Sequence, residues 1–245
     1  MTIASLAMYP FLPLRPAQTR LWDGVRSRLS FAAPELDWEI DPLEASGRDD
    51  LLFGQTCGWP LVTELHTKVH VVGTFDVDVE GAADGTYCSV LVTGTGDSLP
   101  DVLHRPDLVV AANSSDSLSG WISLRSAAAT TGVQLDAVMW TGAHALSIEA
   151  LRMGSAHLAS IDAVSWEYTD QTGLAVVGRG PRIPCLPLVT TRSSSDAVLG
   201  ELRSVLSDAV RDPQLADACR TLRIRDFLER DLADYGRIVE LAELW

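Results

Sequence analysis

Positive charge is scarce in this chain. Its 245 residues carry 19 Lys and Arg against 33 Asp and Glu, a formal net charge of −14. That excludes nucleic acid as a partner, because a phosphate backbone needs a basic footprint. A small anion is not excluded, since a helix terminus and local hydroxyls bind one against an adverse global field. Long apolar runs are missing too, and nothing approaches the roughly 20 residues of a membrane span. The amino terminus lacks a basic n-region, and its apolar stretch, residues 3–9, stops at Pro10, short of a secretory h-region. It reads as the first strand of a fold and favours a cytoplasmic location, or a periplasmic or extracellular one if a leader has been trimmed. Cysteine is limited to Cys57, Cys88, Cys185 and Cys219, at spacings that match no zinc or redox motif. They read as reduced, small apolar fillers. No internal repeat, low-complexity segment, Ser–His–Asp signature or metal-ligand cluster is found, and Gly94-x-Gly96 lacks the rest of a dinucleotide fingerprint. No cofactor is called for.

What is present is a globular composition, 47% apolar and 21% charged, long enough for one large domain or two small lobes. Strands are expected at residues 3–9, 36–40, 51–53, 69–77, 85–92, 108–112, 138–140, 158–161 and 173–177, with an extended segment at 184–190. The 85–92 strand is entered from an Asp84-Gly85 turn. Helical spacing predicts helices over 17–30 and 121–129, and from Leu146 to Met153 with Gly154 as its C-cap. A helical turn is expected at 60–65. Near the carboxyl end, Val198, Leu202, Val205, Leu206 and Ala209 share one helical face behind a Ser194-Ser195 cap. Asp212-Pro213 restarts the chain as a cap and first helical residue, and Leu228, Leu232, Tyr235, Val239 and Ala242 form another helical stripe. Strands alternating with helices imply an α/β fold with a mostly parallel sheet, in which ligands sit beyond the carboxyl ends of strands.

The polar clusters obey that rule. Tyr9, Gln55-Thr56, the run Asn113-Ser114-Ser115-Asp116-Ser117-Leu118-Ser119-Gly120, the run Thr141-Gly142-Ala143-His144, and Asp162 all fall at expected strand ends. The serine run joins a strand to a helix, where unpaired N–H groups and a partial positive charge suit an anion. Its serines are equally ordinary N-caps. Trp59, Trp140 and Trp166 read as core or rim, and His66, His70, His104 and His157 are given no role.

Five stretches in order carry a resemblance: Phe53-Gly54-Gln55-Thr56-Cys57-Gly58, Gly85-Thr86-Tyr87, Ser117-Leu118-Ser119-Gly120, Thr141-Gly142-Ala143-His144 and Ile161-Asp162. Over roughly residues 1–190 the chain resembles the phosphonate/phosphite/phosphate-binding proteins of ABC importers. The resemblance implies a two-lobed type II periplasmic binding protein fold with mixed sheets, flanking helices and a ligand cleft between lobes. Lobe 1 would be residues 1–91 plus 186–245, and lobe 2 residues 92–185. The crossing strands would lie near 87–92 and 186–190.

It implies a small anionic ligand, of phosphonate or phosphate type, and an ABC permease as partners. Ser117, Ser119 and the Gly120 amide would hold the oxyanion, with His144 on the same oxygens; Ala143 stands where the family has a serine. Asp162 matches a family acidic residue and Tyr87 an aromatic before the hinge. Ser115 and Thr141 join these clusters, and Tyr9, Gln55 and Thr56 match by position on the first lobe. A plain reading stays open beside each: His144 as a helix first-turn residue, Asp162 as a helix cap, Tyr87 as hinge packing. A carboxylate at Asp162 would favour a protonated oxyanion or a ligand amine. The alternative is a cytoplasmic enzyme on the same fold, of the menaquinone- or thiamine-pathway type, with His144, Asp162 and Cys57 as candidate bases.

Overall fold

Strands buried on both faces read in sequence as continuous apolar runs, and only the structure separates their faces. The computed structural model describes residues 2–242; Met1 and residues 243–245, assigned above to the first lobe, lie outside the described residues. Its strands are β1 (Ile3–Ser5), β2 (Leu51–Gln55), β3 (Val69–Val77), β4 (Thr86–Thr93), β5 (Val110–Ala112), β6 (Val138–Trp140), β7 (Leu158–Ile161), β8 (Ala175–Pro184), β9 (Pro187–Thr191) and β10 (Ile224–Leu228). Its α-helices are α1 (Arg15–Arg26), α2 (Pro42–Ser46), α3 (Gly58–Pro60), α4 (Leu99–Leu103), α5 (Ser123–Ala129), α6 (His144–Arg152), α7 (Ala163–Glu167), α8 (Asp196–Arg211), α9 (Ala216–Thr221) and α10 (Arg237–Ala242). Two π-turns, Leu61–Leu65 and Leu118–Ile122, continue the chain after α3 and before α5.

The chain divides into two units, each with its own five-stranded sheet. Unit 1 takes the described residues up to Asp78, Ala82–Thr86 and Pro184–Gly236; unit 2 takes Val79–Gly81, Tyr87–Ile183 and the described residues from Arg237 on. The unit 1 sheet has the order β1-β2-β9-β3-β10. Only β1 and β2 run parallel there; β9 is antiparallel to both β2 and β3, and β10 to β3. Trp22 of α1 stacks on Phe53 of β2 at 5.0 Å and donates its indole N–H to the Pro34 carbonyl at 2.8 Å. The Asp84-Gly85 turn takes positive φ at both residues (53° and 70°), the backbone of a tight hairpin turn.

The unit 2 sheet has the order β6-β5-β7-β4-β8, with β6, β5 and β7 parallel and β4 antiparallel to β7. Period-two alternation sorts its core. Val90, Val92, Ala111, Ala159 and Ile161 face Ile148 and Leu151 of α6 and Trp166 of α7. Leu91, Val110 and Leu158 face Val102 of α4 and Leu124 of α5 on the other side.

The sheets are therefore mixed, as the resemblance implies, and less parallel than alternation alone suggests. The departure lies in β9 and β10 of unit 1 and in β4 of unit 2: β9 runs antiparallel to β2 and β3, β10 to β3, and β4 to β7. Other expectations shift as well. The first strand ends at Ser5. At 36–40 only Leu36 bridges the sheet, because the Asp37 carboxylate accepts the N–H groups of Glu39 and Ile40 at 2.9 and 3.1 Å and turns the chain. Asp212 likewise starts a turn, accepting from Gln214 N–H at 2.7 Å, and the helix begins only at Ala216. Leu228 ends strand β10 instead of opening a helical stripe, and Leu232 and Tyr235 lie in a separate 3₁₀ turn.

Candidate functional site

In unit 2 the carboxyl ends of three adjacent parallel strands, β5, β6 and β7, each deliver one polar cluster. After β5 the chain turns at Ser114 and reaches Ser117, the N-cap of the Leu118–Ile122 π-turn. Ser117 Oγ accepts the Gly120 N–H at 3.0 Å and keeps its own hydroxyl proton for another acceptor. Gly120 is required here: a Cβ would lie 1.9 Å from Asn113 Oδ1. The Ile122 N–H reaches back five residues to the Ser117 carbonyl at 3.0 Å, the wide spacing of a π-turn, a rare feature frequent at functional sites.

After β6, backbone bonds from Thr141 to Ala112 (2.9 Å) and from Gly142 to Asn113 (2.8 Å) staple the next loop to the end of β5. His144, first residue of α6, is thereby placed with Nε2 3.1 Å from Ser119 Oγ. Its Nδ1 is shut away from solvent without a hydrogen-bond partner. Burial holds the imidazole below its ordinary value, and the negative charge of Asp162 pulls partly the other way. The positive end of α6 adds to the preference for a neutral ring. The Thr141 hydroxyl is 2.7 Å from Ser147 Oγ and within reach of the Ala112 and Ala143 carbonyls, so it serves the loop itself. Ser115 is exposed on the turn.

At the end of β7, Asp162 caps α7, with Oδ1 accepting from Ser165 N–H at 2.9 Å; the capping role read beside the ligand role is thus present. Its Oδ2 accepts the Tyr87 hydroxyl at 2.5 Å, a buried contact that ties the start of β4 to the end of β7. Ser117, Ser119, Gly120, His144, Asp162 and Tyr87 therefore share one end of one sheet. The chemistry on offer is two hydroxyls, a neutral imidazole and the unpaired N–H groups of a helix start, with a carboxylate beside them.

Tyr9, Gln55 and Thr56 lie in unit 1, at the ends of its parallel pair β1 and β2. The loop carrying Tyr9 is held by the buried Gln18 of α1, whose Nε2 donates to the carbonyls of Leu6 (3.0 Å) and Tyr9 (3.3 Å). Gln55 is buried opposite Leu188 of β9. The Thr56 N–H donates to Pro187 at 3.1 Å, while its Oγ1 is buried without a partner.

A family profile described as "ABC transporter, phosphonate, periplasmic substrate-binding protein" matches residues 45–235. The chain belongs to that family of phosphonate substrate-binding proteins. No curated protein sequence matches it. Among solved structures it is similar to PhnD1 from Prochlorococcus marinus (MIT 9301) in complex with methylphosphonate, at 14% identity over 99% of this chain and 97% of that one, with TM-score 0.79. It is similar to a binding protein component of an ABC phosphonate transporter from Pseudomonas aeruginosa, at 18% identity over 99% and 85%, TM-score 0.75. It is also similar to XAC2383 from Xanthomonas citri bound to ATP, at 15% identity over 100% and 96%, TM-score 0.71. At these identities the likeness shows the fold, that of the type II periplasmic binding proteins.

Within this phosphonate-binding family member, sequence reasoning missed the groups that hold the site in shape. Asn113 lies inside the serine run but its amide packing against Gly120 is not legible there. Ser160 and Gln18 were given no role. A signal for Ser160 existed: Leu158-Ala159-Ser160-Ile161 places a hydroxyl in an otherwise apolar strand that is buried throughout, and a buried hydroxyl needs a partner. Among the described residues no group of three or more His, Cys, Asp or Glu gathers to hold a metal, and no helix is long and apolar enough to cross a membrane.

Proposed function

We propose that this chain is the receptor component of an ABC importer, acting outside the cytoplasmic membrane and presenting a phosphonate- or phosphate-type oxyanion to a permease. On this reading the two units described above are its two lobes. Ser117, Ser119 and the start of the π-turn donate to the oxyanion, and His144 donates from its imidazole. Tyr87 and Asp162 border the same place, with Ser115 and Thr141 shaping the loops. Tyr9, Gln55 and Thr56 are the contribution of unit 1 to ligand binding on this reading.

The observation that carries the reading is the Ser119 Oγ–His144 Nε2 contact of 3.1 Å at the carboxyl ends of adjacent parallel strands. Two polar groups from separate loops converge there, each able to donate a hydrogen bond to an anion. A neutral, buried imidazole gains a proton readily once a dianion sits beside it, because opposite charge favours the charged form.

The test is a thermal-shift screen with phosphate, phosphite, methylphosphonate, aminoethylphosphonate, sulfate, ATP and aromatic carboxylates. At a hundredfold excess over Kd, binding adds about 2.7 kcal/mol, a shift of several degrees for a chain of this size. A shift with a phosphorus oxyanion that vanishes in Ser119→Ala and His144→Ala is the expected result. Silence from every oxyanion, with a shift from an aromatic carboxylate, overturns it in favour of the enzyme reading.

A further inference from the structure

Ser160 is the third residue of β7, in the middle of the unit 2 sheet, where it pairs with Leu91 of β4. Alternation puts it on the same face as Leu158, against α5, at a position where an apolar residue would pack. The site is wholly buried, yet it carries a hydroxyl. That hydroxyl donates to the Ser119 carbonyl at 2.6 Å. It therefore grips the residue whose own hydroxyl meets His144, the second of a five-residue π-turn. Two backbone bonds span that residue over five positions: Ser117 C=O accepts from Ile122 N–H, and Leu118 C=O from Ser123 N–H. A π-turn is rare beside the α-turn, and a side-chain hydroxyl on one of its carbonyls competes with the regular helical pattern.

We infer that Ser160 is a positioning residue for the oxyanion site: its hydroxyl holds the Leu118–Ile122 π-turn in the setting that aims Ser119 Oγ at His144 Nε2. The inference rests on the oxyanion reading for its effect on ligand affinity, but its effect on the Ser119–His144 contact is independent of any ligand. Removing the hydroxyl leaves the Ser119 carbonyl without this partner and frees the turn to relax toward α-helical spacing, which swings Ser119 Oγ away from the ring.

Two readouts test it in Ser160→Ala, with Ser89→Ala as control. Ser89 is equally buried, on β4 of the same sheet, and its hydroxyl has no hydrogen-bond partner. The first readout is the His144 ring nitrogen signals in long-range ¹H–¹⁵N correlation spectra of the ligand-free protein. The second is the affinity for methylphosphonate and phosphate by calorimetry. Ser160→Ala should move the Nε2 signal and weaken binding by about three- to tenfold, the range of one lost hydrogen bond, while Ser89→Ala leaves both as in the parent. An unmoved Nε2 signal in folded Ser160→Ala overturns the inference. If the parent protein binds no oxyanion, the functional reading fails and the ring signals alone decide the role of Ser160. Should Ser160→Ala not fold, Ser160→Cys, a weak donor of similar size, gives the same two readings.

Discussion

The residue on which the proposed function depends most is His144. Its imidazole sits below its ordinary value because it is buried, so the unfolded chain binds a proton more readily than the folded one. Its contribution to stability is therefore complete above about pH 6.5 and is lost as the pH falls from there through the lowered folded value. Denaturant titrations from pH 7.5 to 5 should show stability declining on the acid side, with a shallower decline in His144→Gln; equal slopes would refute the assignment. A dianionic ligand reverses the balance. Binding at pH 7 should take up as much as one proton, seen as a dependence of calorimetric heat on buffer ionisation enthalpy, and the uptake should disappear in His144→Gln. Gly120 is the other decisive position. A methyl there meets the Asn113 amide, so Gly120→Ala should destabilise the protein by about 1–3 kcal/mol in denaturant titration and disturb the serine turn. The serine, histidine and aspartate positions were legible in sequence because each sits where an apolar run ends. The contacts that aim them were not, because Asn113, Gln18 and Ser160 act through carbonyls and glycines that only folding brings near.

Elements tell a similar story of local signals overridden by partners. Residues 69–77, 138–140 and 158–161 form strands at the expected bounds, since short runs of β-branched and apolar residues between turn signals admit little else. Leu228, Leu232 and Tyr235 have helical spacing, yet Leu228 belongs to β10, which pairs with β3 and packs Phe227 inward. Close approach of the two strands depends on Gly73 of β3, where a Cβ would strike the Phe227 ring and the Leu228 carbonyl at 2.5 Å. Pairing to a strand 150 residues earlier leaves no trace in local periodicity. The register of β3 against β9 shifts between Val71 and Gly73, and Arg203 of α8 donates from Nε to Val72 (3.0 Å) and from Nη2 to Val71 (3.1 Å), satisfying carbonyls at that irregularity. Arg203→Met should cost about 1–3 kcal/mol by leaving those acceptors unpaired, whereas an unchanged denaturation midpoint would mean water replaces the guanidinium.

At the scale of the whole molecule, the chain is two α/β units threaded discontinuously, with Ser117, Ser119 and His144 in one and Tyr9, Gln55 and Thr56 in the other. The net charge of −14 sets the problem the proposed site must solve, since every anion approaches an acidic protein. On the proposed reading local donors outweigh that field, and a neutral histidine able to gain a proton, two hydroxyls and a helix start supply them. The most direct measurement is a calorimetric titration of methylphosphonate and of phosphate into the parent protein and into Ser119→Ala. One ligand per chain in the parent, with at least tenfold weaker binding in the variant, is the predicted result. Equal affinity in the two proteins, or no binding heat from either oxyanion, would contradict it.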